Sequence, residues 1–201
     1  MIRVLLAEDV HMVRGALVAL LDLEDDIEVV ATSSDGTDVL ELVQAHTPDV
    51  AVLDIDLAGA DGIDLARAIQ EDHPGVRVLL LTSMSTPATV QRALSAQVDG
   101  FLLKDEQPEQ LAQAVRDIAR GRKVVDGDLV LNAMSVGPCP LSPRELEVLR
   151  AAADGQEPGE IAKKLFLSIG TVRNHLTAAM AKLSARNRVD AVRKATDSGW
   201  I

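Results

Sequence analysis

The chain has 201 residues, 47% apolar and 25% charged, with 31 acids against 20 bases. Two phenylalanines, one tryptophan and no tyrosine leave an aliphatic core and exclude the aromatic platforms on which single-strand and RRM-type binders stack bases. One cysteine excludes an internal disulfide or cysteine-rich zinc site and suits a reducing, cytoplasmic setting, and no apolar run reaches the length of a membrane span, so no membrane insertion is expected.

From the N-terminus, short apolar runs alternate with helical patterns. Strands are expected at 2–7, 27–31, 50–53, 76–81 and 100–103, and helices at 11–21, 36–46, 61–71, 87–96 and 107–120. Strands that read as unbroken apolar runs are covered by helices on both faces. Residues 1–120 are therefore expected to form an α/β doubly wound, flavodoxin-like (βα)5 domain.

In such a sheet ligands gather beyond the carboxyl ends of the strands. Glu8 and Asp9 follow the first strand, Asp54 and Asp56 the third, Thr82 and Ser83 the fourth, and Lys104 and Asp105 the fifth. Clustered carboxylates repel one another unless a cation lies among them, and hard oxygen donors with room for water suit Mg²⁺. A lysine and a hydroxyl beside a metal suit a phosphoryl group. Each residue alone has a plainer reading: a cap for Glu8 and Asp9, a strand end for Thr82, core for Phe101, surface for Lys104. Their joint placement at four strand ends carries the chemistry.

This set resembles the receiver domain of two-component response regulators, over all of residues 1–120. The resemblance implies that Asp54 is the phosphoacceptor, attacking the phosphohistidine of a cognate sensor histidine kinase or a small phosphodonor. It implies that Asp9 and Asp54 ligate Mg²⁺ with the main-chain carbonyl of Asp56, while Glu8 acts through water. Lys104 would pair with Asp54 and then with the phosphoryl oxygens, and Thr82 would move toward them. Small Ser83 would keep the group accessible, and Phe101 would be the switch aromatic. The sequence departs from the family in two places. The loop 56–62 lacks the usual proline, so a looser loop is expected, and Phe101 lacks the hydroxyl of the frequent tyrosine.

Residues 121–140 are expected to form a linker. Gly121 reads as a helix stop, and residues 135–143 hold three prolines and a glycine, which fix φ and remove donors. Charge changes sign across this stretch. Residues 1–120 carry 22 acids and 8 bases, and residues 141–201 carry 7 acids and 10 bases. A basic end on an acidic protein suits a polyanion; the plainer reading is a solvated helix face.

Residues 141–201 read as four short helices, near 143–153, 158–166, from a Ser168 cap onward, and 187–198. Ser142, Pro143 and Glu145 form a capping-box start. In the third helix Val172, Leu176, Met180 and Leu183 make the buried stripe, leaving Arg173, Asn174, Thr177 and Lys182 outward. Arginine and asparagine pair in bidentate fashion with guanine and adenine edges, and two helices joined by a short turn suit a helix-turn-helix. The run LSPRELEVL from Leu141, Glu160-Ile161-Ala162, Leu167-Ser168, Thr171-Val172-Arg173-Asn174-His175, Lys182-Leu183 and Arg188 resemble the LuxR-type DNA-binding domain. That resemblance implies Arg173, Asn174 and Thr177 in the major groove of double-stranded promoter DNA. It places Lys163, Lys164, Thr171 and Arg188 on phosphates and a dimer contact on the fourth helix.

Both halves together resemble NarL/FixJ-type response regulators, and the wording of residues 15–26 with the Gly199-Trp200 ending resembles the subgroup of DesR and the haem-responsive ChrA. The resemblance implies a cytoplasmic transcription factor, not an enzyme, forming a homodimer when phosphorylated. One rival is a DNA-binding regulator that works without phosphorylation. Another is a haloacid-dehalogenase-like phosphatase, since Asp54 and Asp56 have its nucleophile–acid spacing; Ala58 stands where that family has a small hydroxyl residue.

Overall fold

The computed structural model describes residues 1–83, 86–135, 137 and 139–201. Five strands, β1 (Ile2–Ala7), β2 (Ile27–Ser33), β3 (Val50–Asp54), β4 (Arg77–Thr82) and β5 (Gly100–Leu103), form one parallel sheet in the order β2-β1-β3-β4-β5. Five helices alternate with them: α1 (His11–Leu21), α2 (Val39–His46), α3 (Gly62–Asp72), α4 (Pro87–Ser95) and α5 (Pro108–Ala119). Side chains of one sheet face, among them Val4, Leu6, Val52, Leu79 and Leu81, pack on Leu111, Val115 and Ile118 of α5. Leu5, Leu53 and Leu80, whose side chains alternate onto the opposite face, are equally buried. With both faces covered, the central stretches Val4–Ala7, Val50–Leu53 and Val78–Leu81 are apolar throughout and buried.

Local chemistry moves some expected boundaries. The expected helix 36–46 begins as a 3₁₀ turn, Gly36–Asp38, before α2. Asp35 accepts the Thr37 N–H at 2.8 Å, and Gly36 N–H reaches across to the Ala58 carbonyl at 2.7 Å, which holds the entry tight. The stretch 121–140, expected as a linker, carries ordered pieces. Val124 pairs in parallel with Gly100: Phe101 N–H donates to the Val124 carbonyl at 2.8 Å and Val124 N–H to the Asp99 carbonyl at 3.0 Å. A further helix, α6 (Gly127–Ser135), follows, and Asp126 accepts the Asp128 N–H at 2.7 Å at its start. Val136 and Pro138 of the proline-rich stretch lie outside the described residues.

The chain separates into two compact units, Met1–Ser85 with Val90–Leu131 and Thr86–Thr89 with Asn132–Ile201. The second holds α7 (Pro143–Ala153), α8 (Pro158–Lys164), α9 (Ile169–Lys182) and α10 (Arg188–Asp197) around Val148, Leu149, Ile161, Val172, Ala191 and Ala195. Ser142 and Glu145 form the expected capping box: Glu145 N–H donates to the Ser142 hydroxyl at 3.3 Å, and Ser142 N–H to Glu145 at 2.7 Å. Helix α8 stops at Lys164, two residues short of expectation, because Phe166 turns into the left-handed region. Among the described residues no helix is long and apolar enough to cross a membrane.

Candidate functional site: an acidic pocket and a basic helix

Parallel pairing brings the acids together. Strands β1 and β3 are neighbours with Ala7 opposite Leu53, so Glu8, Asp9 and Asp54 leave the sheet side by side. One carboxylate oxygen from each lies within 4.8 Å of the others. Glu8 and Asp54 are buried, and Asp9 is partly exposed. Lys104, just past β5, places Nζ 2.7 Å from Glu8 Oε2 and 2.8 Å from Asp54 Oδ2. Burial alone would pull the lysine pKa down, but the contacts to Asp54 and Glu8 outweigh it and hold the ammonium above its ordinary value. Three carboxylates, two of them buried, around one ammonium leave negative charge uncompensated, and all the donors are hard oxygens. That set fits a divalent cation of the Mg²⁺ kind.

The supporting loops are fixed. Arg14 of α1 donates to the carbonyls of Glu8 at 2.5 Å and Asp9 at 3.4 Å, and Val10 N–H donates to Glu8 Oε1 at 3.2 Å. The proline-free loop after β3 is tied at both ends: Ile55 N–H donates to the Leu81 carbonyl at 3.0 Å and Gly62 N–H to the Ile55 carbonyl at 2.9 Å. Gly36 holds its middle through Ala58. A Cβ on Gly62 would lie 2.1 Å from the Asp54 carbonyl oxygen, so glycine there lets α3 start against the strand end. The loop is thus anchored by backbone bonds where the sequence suggested looseness.

The other expected residues fall as follows. Thr82 ends β4, is buried, and its carbonyl accepts the Lys104 N–H at 2.9 Å. Ser83 is exposed beside it, and Phe101 is buried in β5. Asp56 is exposed and stands outside the three-acid cluster; its N–H donates to Asp54 Oδ1 at 3.3 Å. Arg14 was not foreseen.

In the second unit, α9 buries Val172, Leu176 and Ala179 and exposes Arg173, Asn174 and Thr177. Lys163 and Lys164 are exposed at the end of α8, with Lys164 3.8 Å from Asp154. Thr171 takes part in the α9 cap, its hydroxyl 2.8 Å from that of Ser168, which also accepts the Thr171 N–H at 3.0 Å. Two expected outward cations are engaged. Arg188 donates to the Gln156 carbonyl at 3.3 Å and Glu157 at 3.5 Å, and Lys182 lies 2.7 Å from buried Glu145. Lys182 first, then the Ser142 N–H, holds the Glu145 carboxyl below its usual range.

Residues 4–116 match the response regulator receiver domain, and residues 139–195 match the luxR family of bacterial regulatory proteins. The transcriptional regulatory protein DesR of Bacillus subtilis is 38% identical over the whole length of both chains. The chain belongs to the NarL/FixJ family of response regulators. Such a response regulator joins a receiver to a LuxR-type DNA-binding domain and regulates transcription. The crystal structure of the response regulator ChrA from a heme-sensing two-component system is 37% identical, covering 100% of this chain and 98% of that one, with a TM-score of 0.60. The structure of two RcsB dimers bound to two parallel DNAs is 28% identical, covering 98% of each chain, with a TM-score of 0.66.

Proposed function

We propose that residues 1–120 accept a phosphoryl group, residues 141–201 read promoter DNA and residues 121–140 connect them, in a cytoplasmic regulator switched at Asp54. An Asp54 carboxylate oxygen attacks the phosphorus of a sensor kinase phosphohistidine. The P–O bond forms as the P–N bond breaks, and the departing imidazole takes up a proton. Asp9, Asp54 and the Asp56 carbonyl, with Glu8 through water, would hold Mg²⁺, which when bound neutralises phosphoryl oxygens. Lys104 transfers its ammonium from Asp54 to those oxygens, and the Thr82 hydroxyl donates to them, with Ser83 leaving the approach open. The acyl phosphate carries roughly 1.5–2 negative charges where the carboxylate carried one, and Phe101 and β5 respond.

Dimerisation then presents two copies of α9 to half-sites about one helical turn, or a multiple of it, apart. Arg173, Asn174 and Thr177 read base edges, while Lys163, Lys164 and Thr171 hold phosphates. Arg188 joins them only by releasing Gln156 and Glu157. A dimeric, DNA-bound relative supports this half of the reading.

One observation carries the switch: the Lys104 ammonium set between Glu8 and Asp54, with Asp9 alongside. A regulator indifferent to phosphorylation has no use for such a set. Treating the full chain with acetyl phosphate and Mg²⁺ should add about 80 daltons by mass spectrometry. Asp54→Asn should add nothing and melt no lower than wild type, since it relieves crowding among like charges. Beryllofluoride should raise dimer content and DNA affinity in wild type alone. An unmodified wild type, or an equally modified Asp54→Asn, overturns the proposal.

A further inference from the structure

Of the two phenylalanines in the chain, Phe101 is buried in β5, while Phe166 is 95% exposed in the turn between α8 and α9. The backbone at Phe166 is left-handed, with φ of 54°. The helix end closes around it: Leu167 N–H donates to the Ala162 carbonyl at 2.8 Å. The residue in this position of a helix stop is usually glycine, because a Cβ crowds the following carbonyl. The site therefore holds a disfavoured backbone and a phenyl ring in water, and asparagine or glycine would relieve both. Strain of this sort, held in place by its surroundings, points toward function.

The neighbours narrow what the ring meets. Lys163 and Lys164 are exposed just before it. Ser168, two residues on, caps α9, along which Arg173, Asn174 and Thr177 are exposed. The ring thus belongs to the turn that leads into a recognition helix, with two exposed lysines just before it in the chain and the positive start of α9 just after. In a helix-turn-helix that is the rim of the major groove, along which the sugar–phosphate chain runs.

We infer that Phe166 is a DNA-backbone contact, its ring packing on the apolar C–H face of a deoxyribose beside the phosphates held by Lys163 and Lys164. The inference rests on the DNA-reading role proposed above. Such a contact takes the ring out of water on binding, reads no base and releases no counterion.

The test uses the full chain and a duplex of about 30 base pairs selected by wild type from a randomised pool, beside a scrambled duplex. Binding is followed by fluorescence anisotropy over a range of salt. Phe166→Asn should melt at or above wild type, bind both duplexes about tenfold more weakly, and keep the wild-type salt slope. Phe166→Tyr, which keeps the ring, should bind both duplexes like wild type. Unchanged affinity in Phe166→Asn overturns the inference. So does a loss confined to the selected duplex, which would put the ring on a base edge, or a shallower salt slope, which would make it a support for the lysines. Altered transcription with unaltered DNA affinity would assign it to a protein partner instead. If Arg173→Ala loses base preference while Phe166→Asn binds normally, only this inference fails; if wild type selects no duplex, the DNA-reading role fails with it.

Discussion

Glu8 and Asp54 in the first unit and Glu145 and Asp190 in the second are buried acids put to opposite uses. Glu145 closes a capping box and faces Lys182. Asp190 accepts the Arg186 N–H at 3.0 Å and lies 3.1 Å from Arg193, and these two contacts, the backbone one first, push its pKa down to about 2. Each of these charges has its own donors, and each fastens a helix start. At the strand ends, by contrast, Glu8, Asp9 and Asp54 share one ammonium. The difference teaches that burial alone does not mark a working acid. What marks it is charge that the fold leaves unbalanced for something else to meet.

The comparison breaks most visibly at Lys104. Lys104→Met removes the shared cation and should cost about 2–3 kcal/mol in magnesium-free buffer, read from denaturant melts. Added Mg²⁺ should then raise its melting temperature more than it raises that of wild type. Equal stability with and without the lysine would show that the acids do not depend on it.

A smaller effect should come from Asp190. Its folded pKa of about 2 lies below the ordinary 3.8, so its contribution is present above about pH 4 and is lost as pH falls toward 2. Trp200, packed against the core of the second unit, reports this by fluorescence. Wild type should lose stability through that window, whereas Asp190→Asn should start lower at neutral pH and fall by less, its remaining loss coming from acids such as Glu145. A wild-type profile flat from pH 4 to 2 would remove Asp190 from the matched pairs.

The smallest effect contrasts two lysines. Lys163→Ala should reduce the slope of log affinity against log salt by about 1 on every DNA sequence. Lys182→Ala should leave that slope alone and lower the melting temperature, because Lys182 already has Glu145. A salt-slope change in both would erase the distinction between matched and unmatched charge on the basic side.

Much of this was legible because parallel sheets with two covered faces write themselves as apolar runs, and because every functional group of a doubly wound sheet follows a strand. Asp54 and Lys104 are distant in sequence yet needed no contact information once both were read as strand ends. Other features left weak traces. Arg14 is the only lysine, arginine or acid in α1, a lone cation one turn past Glu8 and Asp9. Helix α6 had Asp126 as a cap and Leu129, Val130 and Met134 as an apolar pattern, outweighed by the prolines beyond. The stop of α8 was hidden because a phenylalanine holds a glycine's position. The partners of Lys182 and Arg188 come from α7 and from the turn before α8, with Glu145 and Glu157 37 and 31 residues away, and no local pattern records such meetings.

The pairing of Val124 with β5 has a practical corollary. β5 is an outermost strand, and Val124 satisfies the amide of Phe101 and the carbonyl of Asp99. A fragment excised at residue 120 would bare both groups along a ribbon open to a foreign chain, inviting aggregation. Severing the first half for separate study therefore calls for a cut beyond residue 126, where the sheet carries its own selvedge.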